Sequence, residues 1–288
     1  MAEKAIIAEN LTYIYSDLIA VDHINFSIDE GEILGFLGPN GAGKTTTVKM
    51  LTGQLKPKEG IARILGKDVA KHVEEIQGDI GVCFEITNLY EKMSAIENLN
   101  LFAKLFGVQD YSADAILDRV GLAERGKDKV ETYSKGMKQR LMVARSMVNH
   151  PRILFLDEPT AGLDPTSSEA ILNIILEERN RGATIFLTTH DMLEADKLSN
   201  RVAFMNQGRI VALDTPMNLK QKYGKRALKA SIVTEGGGIT EREIEMDSAT
   251  TPDAVRELFS KENVITVHSE EATLEDIFIK ITGRGLVE

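Results

Sequence analysis

The sequence has one cysteine, and no stretch of it approaches the ~20 consecutive apolar residues that span a bilayer. A lone cysteine excludes an internal disulfide framework and suits a reducing compartment. Cys83 lies in the apolar run 80–84, so its expected role is core packing rather than reactivity. Basic residues are outnumbered, 34 Lys and Arg against 44 Asp and Glu, for a formal net charge of -10. The electrostatic footprint of a nucleic-acid binder is therefore missing, and no nucleic-acid partner is expected. The start of the chain carries Glu3 and Glu9 and lacks a signal-peptide pattern. The expected location is cytoplasmic, with any membrane contact made through a partner. Internal repeats, low-complexity tracts, sustained heptads and an Asn-Lys-x-Asp guanine-reading element are absent as well. The last of these disfavours a GTPase.

What is present centres on Gly38-Pro39-Asn40-Gly41-Ala42-Gly43-Lys44-Thr45-Thr46. The segment fits the phosphate-loop spacing, with two glycines followed by Lys and a hydroxyl residue. Run 32–37 before it is short and mostly apolar, like a buried parallel strand. Val48, Leu51 and Leu55 after it have helical spacing. A triphosphate needs many donors at close range. Gly38, Gly41 and Gly43 let backbone N–H groups approach it, and the helix start adds orphan N–H groups and a positive dipole end. Lys44 is expected to reach the β- and γ-phosphates, Thr45 to offer its hydroxyl to Mg²⁺, and Thr46 to contact the α-phosphate.

Two further strand ends point to the same chemistry. Four apolar residues, 153–156, end in Asp157 and Glu158. A buried strand that delivers carboxylates to its C-terminal end is how phosphate-loop enzymes hold Mg²⁺ and orient water. Asp157 is the expected metal-side carboxylate and Glu158 the general base. Residues 184–189 read as another buried strand that delivers His190 to the same sheet edge, within reach of a γ-phosphate.

Upstream, residues 5–11 and 24–28 read as strands, with Tyr13 and Tyr15 between them. An aromatic ring there either stacks on a nucleobase or packs on a strand edge. Ser94 and Glu97 form a capping box, and Leu99, Phe102, Ala103 and Phe106 an apolar stripe closed by Gly107. A second short helix covers 113–120. Ser134 caps a third, whose first residues are Lys135, Gly136 and Met137. Asp164-Pro165 reads as an N-cap with proline at the first helical position. A hairpin turns at Asn206-Gln207-Gly208. The expected fold is α/β: a P-loop NTPase core with a mixed sheet over 1–216, a helical subdomain inserted at about 87–149, and a small C-terminal α+β domain over 217–288.

Taken in order, the phosphate loop, Ser134-Lys135-Gly136, Asp157-Glu158, Asp164 and His190 resemble an ATP-binding cassette. More narrowly, the chain looks like the nucleotide-binding subunit of ABC-2-type exporters of drugs, sodium or bacteriocins. The ending Thr273-Leu274-Glu275-Asp276-Ile277-Phe278 resembles that subgroup too. The resemblance implies that Tyr15 stacks on adenine and that Ser134, Lys135, Gly136 and Met137 form a signature facing the nucleotide of a second cassette. Ala161-Gly162-Leu163-Asp164 becomes the loop that communicates across the dimer, and His190 the switch histidine. It implies a Mg²⁺-dependent ATPase, a head-to-tail dimer around two ATP molecules, and a separate transmembrane permease on the inner face of the membrane. Two residues depart from the family pattern. Glu85 stands where a glutamine is common, bridging metal and attacking water. Lys135 stands where a glycine is common, so that its cation either adds to the facing phosphate site or points to solvent. The alternative reading is a nucleotide-sensing regulatory cassette with weak hydrolysis. Non-transport cassettes acting on nucleic acid carry two cassettes or a long coiled coil, which this chain lacks.

Overall fold

The computed structural model describes residues 3–224, 226–234, 236–246, 249–283 and 285. Contacts divide the chain into two compact units at Leu213/Asp214. The accessory domain expected to reach residue 288 ends in positions that lie outside the described residues.

The first unit begins with a long hairpin, β1 (Lys4–Tyr15) and β2 (Leu18–Asp29). Its register runs to Tyr15↔Leu18 around a tight turn with Ser16 at φ 48°. Tyr13 and Tyr15 therefore lie inside β1 and not between two strands. β1 carries register shifts at 8/11, 11/13 and 13/14, which interrupt the period-2 alternation that marks a strand. Next come β3 (Ile33–Leu37), α1 (Lys44–Leu51), β4 (Glu59–Ile64), β5 (Lys67–Asp68), the short α2 (Val73–Gln77) and β6 (Ile80–Cys83). The helical stretch holds α3 (Ala95–Phe106), α4 (Ala113–Arg119) and α5 (Lys135–Ser146). The core resumes with β7 (Ile153–Asp157), α6 (Pro165–Asn180), β8 (Thr184–Thr189), α7 (Met192–Leu198), β9 (Arg201–Asn206) and β10 (Arg209–Asp214).

Two sheets result. One is four-stranded, β2-β1-β4-β5, with antiparallel pairs. The other runs β10-β9-β3-β8-β7-β6, with parallel pairing from β9 through β6. β3, β7 and β8 are buried at every residue, as strands covered on both faces must be. Their shared direction puts the loops after Leu37, Asp157 and Thr189 at one edge. The phenylalanines Phe26, Phe36, Phe155 and Phe186 pack with centroids 5.0–6.0 Å apart beneath that edge.

The helix ends follow local chemistry. Ser94 and Glu97 form the reciprocal capping box, and Gly107 closes α3 at φ 67°. The apolar stripe expected on α3 divides. Leu99 and Ala103 are buried, whereas Phe102 sits under the Arg145 guanidinium at 4.5 Å and Phe106 is exposed. Cys83 is fully buried, and burial pushes its thiol up to about 12, so it is inert as a nucleophile.

The second unit holds α8 (Pro216–Tyr223), β11 (Arg226–Val233), β12 (Ile239–Glu245), α9 (Thr251–Lys261), β13 (Asn263–Glu271) and α10 (Leu274–Thr282). Its antiparallel sheet is ordered β12-β11-β13. Thr273 and Asp276 make a second capping box, at the start of α10. Among the described residues no helix is long and apolar enough to cross a membrane.

Candidate functional site

The loop after β3 is shaped by close backbone packing. A Cβ on Gly38 would sit 2.2 Å from the Met205 carbonyl oxygen. Gly43, at φ 110°, would bring a Cβ to 2.3 Å from the Ala20 carbonyl oxygen. Only glycine fits at either place. Gly43 then caps α1, leaving the orphan N–H groups of its first turn without a side-chain cap. This is the arrangement that binds phosphate groups.

Lys44 is the first residue of α1 and is only 6 % exposed. Its Nζ donates to the carbonyl oxygens of Gly38 (2.6 Å) and Pro39 (3.3 Å). The same ammonium lies 3.0 Å from Glu158 Oε1, an ion pair without hydrogen-bond geometry. Glu158 follows β7 in the left-handed region at φ 50°, a strained setting for a glutamate and one typical of functional positions. Its second oxygen, Oε2, is 2.8 Å from His190 Nδ1. Phosphate loop, carboxylate and histidine thus converge in one cluster, Lys44–Glu158–His190, contributed by the ends of β3, β7 and β8.

Asp157, the last residue of β7, is completely buried. Its Oδ1 accepts from Thr188 Oγ1 at 2.5 Å, while Oδ2 is buried with no hydrogen-bond partner. Burial raises its pKa, opposed by the hydroxyls of Thr188 and Thr45. An orphaned buried carboxylate oxygen beside a threonine hydroxyl is a hard-oxygen donor set, and it fits a divalent cation such as Mg²⁺. Among the described residues no group of three or more His, Cys, Asp or Glu could hold a metal by itself.

Thr188 was not evident from the sequence as a site residue. Besides holding Asp157, its Oγ1 accepts from the Glu158 N–H at 3.0 Å, and its carbonyl accepts the same N–H at 3.1 Å. One buried hydroxyl therefore holds the Asp157 carboxylate and the backbone of Glu158. The available signal was a pair of threonines ending an otherwise apolar strand. A second strap lies behind the cluster: Thr160 Oγ1 donates to Glu194 Oε2 at 2.6 Å. Burial holds the Glu194 carboxyl above the ordinary range, opposed by the Thr160 hydroxyl bond and reinforced by Asp191 and Glu158.

Of the remaining expected residues, His190 alone belongs to this cluster. Thr46 is half-buried in α1, and Asn40 and Gly41 are exposed on the loop. Tyr15 is exposed and meets Tyr13 edge-on, with centroids 4.7 Å apart. Glu85 is exposed two residues beyond β6 and bonds to none of Lys44, Asp157 or Glu158. Its segment is anchored through Asn88, whose carbonyl accepts from Arg145 Nη1 at 2.8 Å and whose side-chain oxygen accepts from Nη2. His190 bonds to Glu158 and is half exposed. Ser134 is exposed, and its Oγ accepts from the Met137 N–H at 3.3 Å; Gly136 is buried. Asp164 caps α6 by accepting from the Ser167 N–H at 2.9 Å, and Ser167 holds its carboxyl below the usual range. Lys135 is exposed. Its Nζ donates to the carbonyl oxygens of Ala161 (3.0 Å) and Gly162 (3.1 Å) in its own chain.

Comparison with known proteins gives a consistent picture. The family profile described as "ABC transporter" matches residues 21–161. A fluoroquinolones export ATP-binding protein of Mycobacterium tuberculosis is 45% identical, over 93% of this chain and 89% of its own length. A bacitracin transport ATP-binding protein of Bacillus licheniformis is 33% identical, over 96% and 97% of the two chains. Among solved structures, a dimeric post-hydrolysis ATP-binding cassette bound to ADP and phosphate superposes with a TM-score of 0.67. It is 26% identical and covers 73% of this chain and 98% of its own.

Proposed function

The chain belongs to the ABC transporter family of ATP-binding subunits, and from that premise we propose that it is a Mg²⁺-dependent ATPase that powers a separate membrane permease, in the direction of export. The observation that carries this reading is the Lys44–Glu158–His190 cluster beside the orphaned oxygen of Asp157. The family implies hydrolysis of ATP. The names of the relatives at 45% and 33% identity support export and a transporter setting.

The chemistry assigns a task to each residue. The N–H groups of the loop 38–43 and of the first turn of α1 hold the β- and γ-phosphates. Lys44 turns its ammonium to the same oxygens, so phosphate and Glu158 compete for one cation. Asp157 and the Thr45 hydroxyl would hold Mg²⁺, which would supply positive charge against the phosphate oxygens. Glu158 takes the proton of a water as that water adds to the γ-phosphorus and the bond to the β–γ bridging oxygen breaks. His190 fixes the carboxylate that receives the proton and stands next to the phosphate product. Tyr15 stacks on the base. Glu85 approaches the water only if segment 84–88 moves, and Asn88 ties that segment to Arg145.

In this reading the site is completed by Ser134–Met137 of a second cassette. A helix N-terminus capped by a serine supplies donors and a positive dipole end to the facing γ-phosphate. The dimeric relative supports the pairing of two cassettes. The permease docks at the cleft between β6, α3 and α5. This cleft, of about 330 Å³, is lined by Phe84, Asn88, Phe102, Phe106 and Arg145. Ile86 and Leu105 on the same segments are exposed at 79 % and 70 %. The protein then works at the inner face of the membrane, held there by its partner.

The test is co-purification of the tagged full-length chain from its native membranes. A transmembrane chain is expected to come with it and to be lost on Phe106→Glu, with nucleotide affinity unchanged. A partner retained by Phe106→Glu would move the dock elsewhere. The absence of any membrane partner would leave an ATPase without a transport role.

A further inference from the structure

Lys135 is in an unusual place for a cation. It is the first residue of α5, at the positive end of the helix dipole, and no acidic residue shares that first turn. A lysine there works against the helix unless its ammonium is used elsewhere. The structure gives that use. Nζ spans to the carbonyl oxygens of Ala161 and Gly162, at 3.0 and 3.1 Å, in the loop that joins Glu158 to α6. The contact is built close on both sides. Gly162 has φ +65°, and a Cβ there would lie 2.5 Å from Lys135 Nζ. A Cβ on the neighbouring Gly136 would lie 2.5 Å from Ser167 Oγ, in the first turn of α6. The backbone ties of residues 161–163 are short-range, Ala161 N–H to Glu158 O and Leu163 N–H to Thr160 O, both 3.2 Å. Just before them Thr160 Oγ1 reaches Glu194 on α7, and Lys135 is the side chain that ties Ala161 and Gly162 to α5.

We infer that Lys135 is a positioning residue that clamps the 161–164 loop to the N-terminus of α5 within one chain, so that Ser134 and Asp164 are presented to the facing cassette as one surface. The inference rests on the two-cassette reading above, and it takes the Lys135 cation away from the facing phosphates. The loop begins three residues after Glu158, so a clamped loop also limits the freedom of the strained turn that carries the base.

The experiment uses the full-length chain with Lys135→Met, which keeps the length and removes the donors, and Lys135→Arg, which keeps charge and donors. Hydrogen exchange at the amides of residues 161–163 is read first, without nucleotide. Lys135→Met is expected to raise it on the order of tenfold, the scale of an exposed charge-assisted pair of bonds, and Lys135→Arg to stay near the parent. ATP-driven dimer formation is then read in a Glu158→Gln background. Lys135→Met is expected to weaken it by about the same factor, with ATP affinity of the single cassette within about twofold of the parent. Unchanged loop exchange overturns the inference, whatever the dimer does. A weakened dimer with unchanged exchange assigns Lys135 to the facing phosphate instead. Raised exchange with an undiminished dimer shows a clamp without the proposed role. The exchange arm needs no turnover, so an inactive parent protein would count against the ATPase reading and not against the clamp.

Discussion

Glu158→Gln is expected to reduce ATP turnover by about 10²- to 10⁴-fold while ATP binding persists, the range typical of a lost general base. Glutamine has the shape of glutamate but no affinity for a proton at neutral pH, so the water loses its acceptor and little else changes. Lys44 retains its bonds to the Gly38 and Pro39 carbonyls. Asp157 retains Thr188. His190 is half exposed and finds water when its carboxylate partner is gone. Binding is expected to hold or tighten, because Glu158 no longer competes with phosphate for the Lys44 ammonium. Phosphate release and nucleotide affinity, measured on the same preparation, check both halves. Turnover within tenfold of the parent would remove Glu158 from the chemistry.

Lys44→Ala is expected to have the opposite profile, with binding lost first. The ammonium is buried, and its three contacts are two loop carbonyls and Glu158. Removing it takes the point charge away from the phosphates, and nucleotide affinity should fall at least about 100-fold. It also strands Glu158. Breaking a buried pair by deleting one partner costs about 3–5 kcal/mol, although the His190 contact moderates that here. The two effects separate in a cycle. Adding Glu158→Gln to Lys44→Ala should restore much of the stability, because no unpaired carboxylate remains, but none of the nucleotide affinity. Calorimetric unfolding and nucleotide titration of the four proteins read the cycle. Stability lost equally with and without Glu158 would mean that Lys44 holds the loop rather than the charge.

How far the sequence reveals this site depends on which forces shape each part. β3, β7 and β8 are legible because a strand buried on both faces must be apolar throughout, and the residues just past them stand out by contrast. Gly38 and Gly43 are legible as glycines of a loop. Their cause, the carbonyls of Met205 and Ala20 pressing on them, comes from residues far away in the chain. The caps Ser94, Ser134 and Asp164 are local devices, and all three hold in the structure. Thr188 is different. A threonine in a strand is ordinary, and only the parallel pairing of β7 with β8 puts its hydroxyl between Asp157 and Glu158. The contacts of Lys135 are hidden for the same reason: its partners are carbonyls 26 and 27 positions away. Phe102 and Phe106 followed the helical period of α3, but period reports the apolar face and not whether the protein's own chain covers it.

The central claim is that one chain holds half of an ATP site. Mixing two inactive variants tests it most directly. Lys44→Ala disables the phosphate loop. Ser134→Asp keeps an N-cap for α5 but sets a carboxylate where the facing γ-phosphate belongs. Each variant alone is expected to be inactive in Mg²⁺-dependent ATP turnover. An equimolar mixture is expected to recover roughly a quarter of the parental rate, because random pairing makes about half of the dimers mixed and each mixed dimer has one intact site. A mixture as inactive as its components would contradict the account.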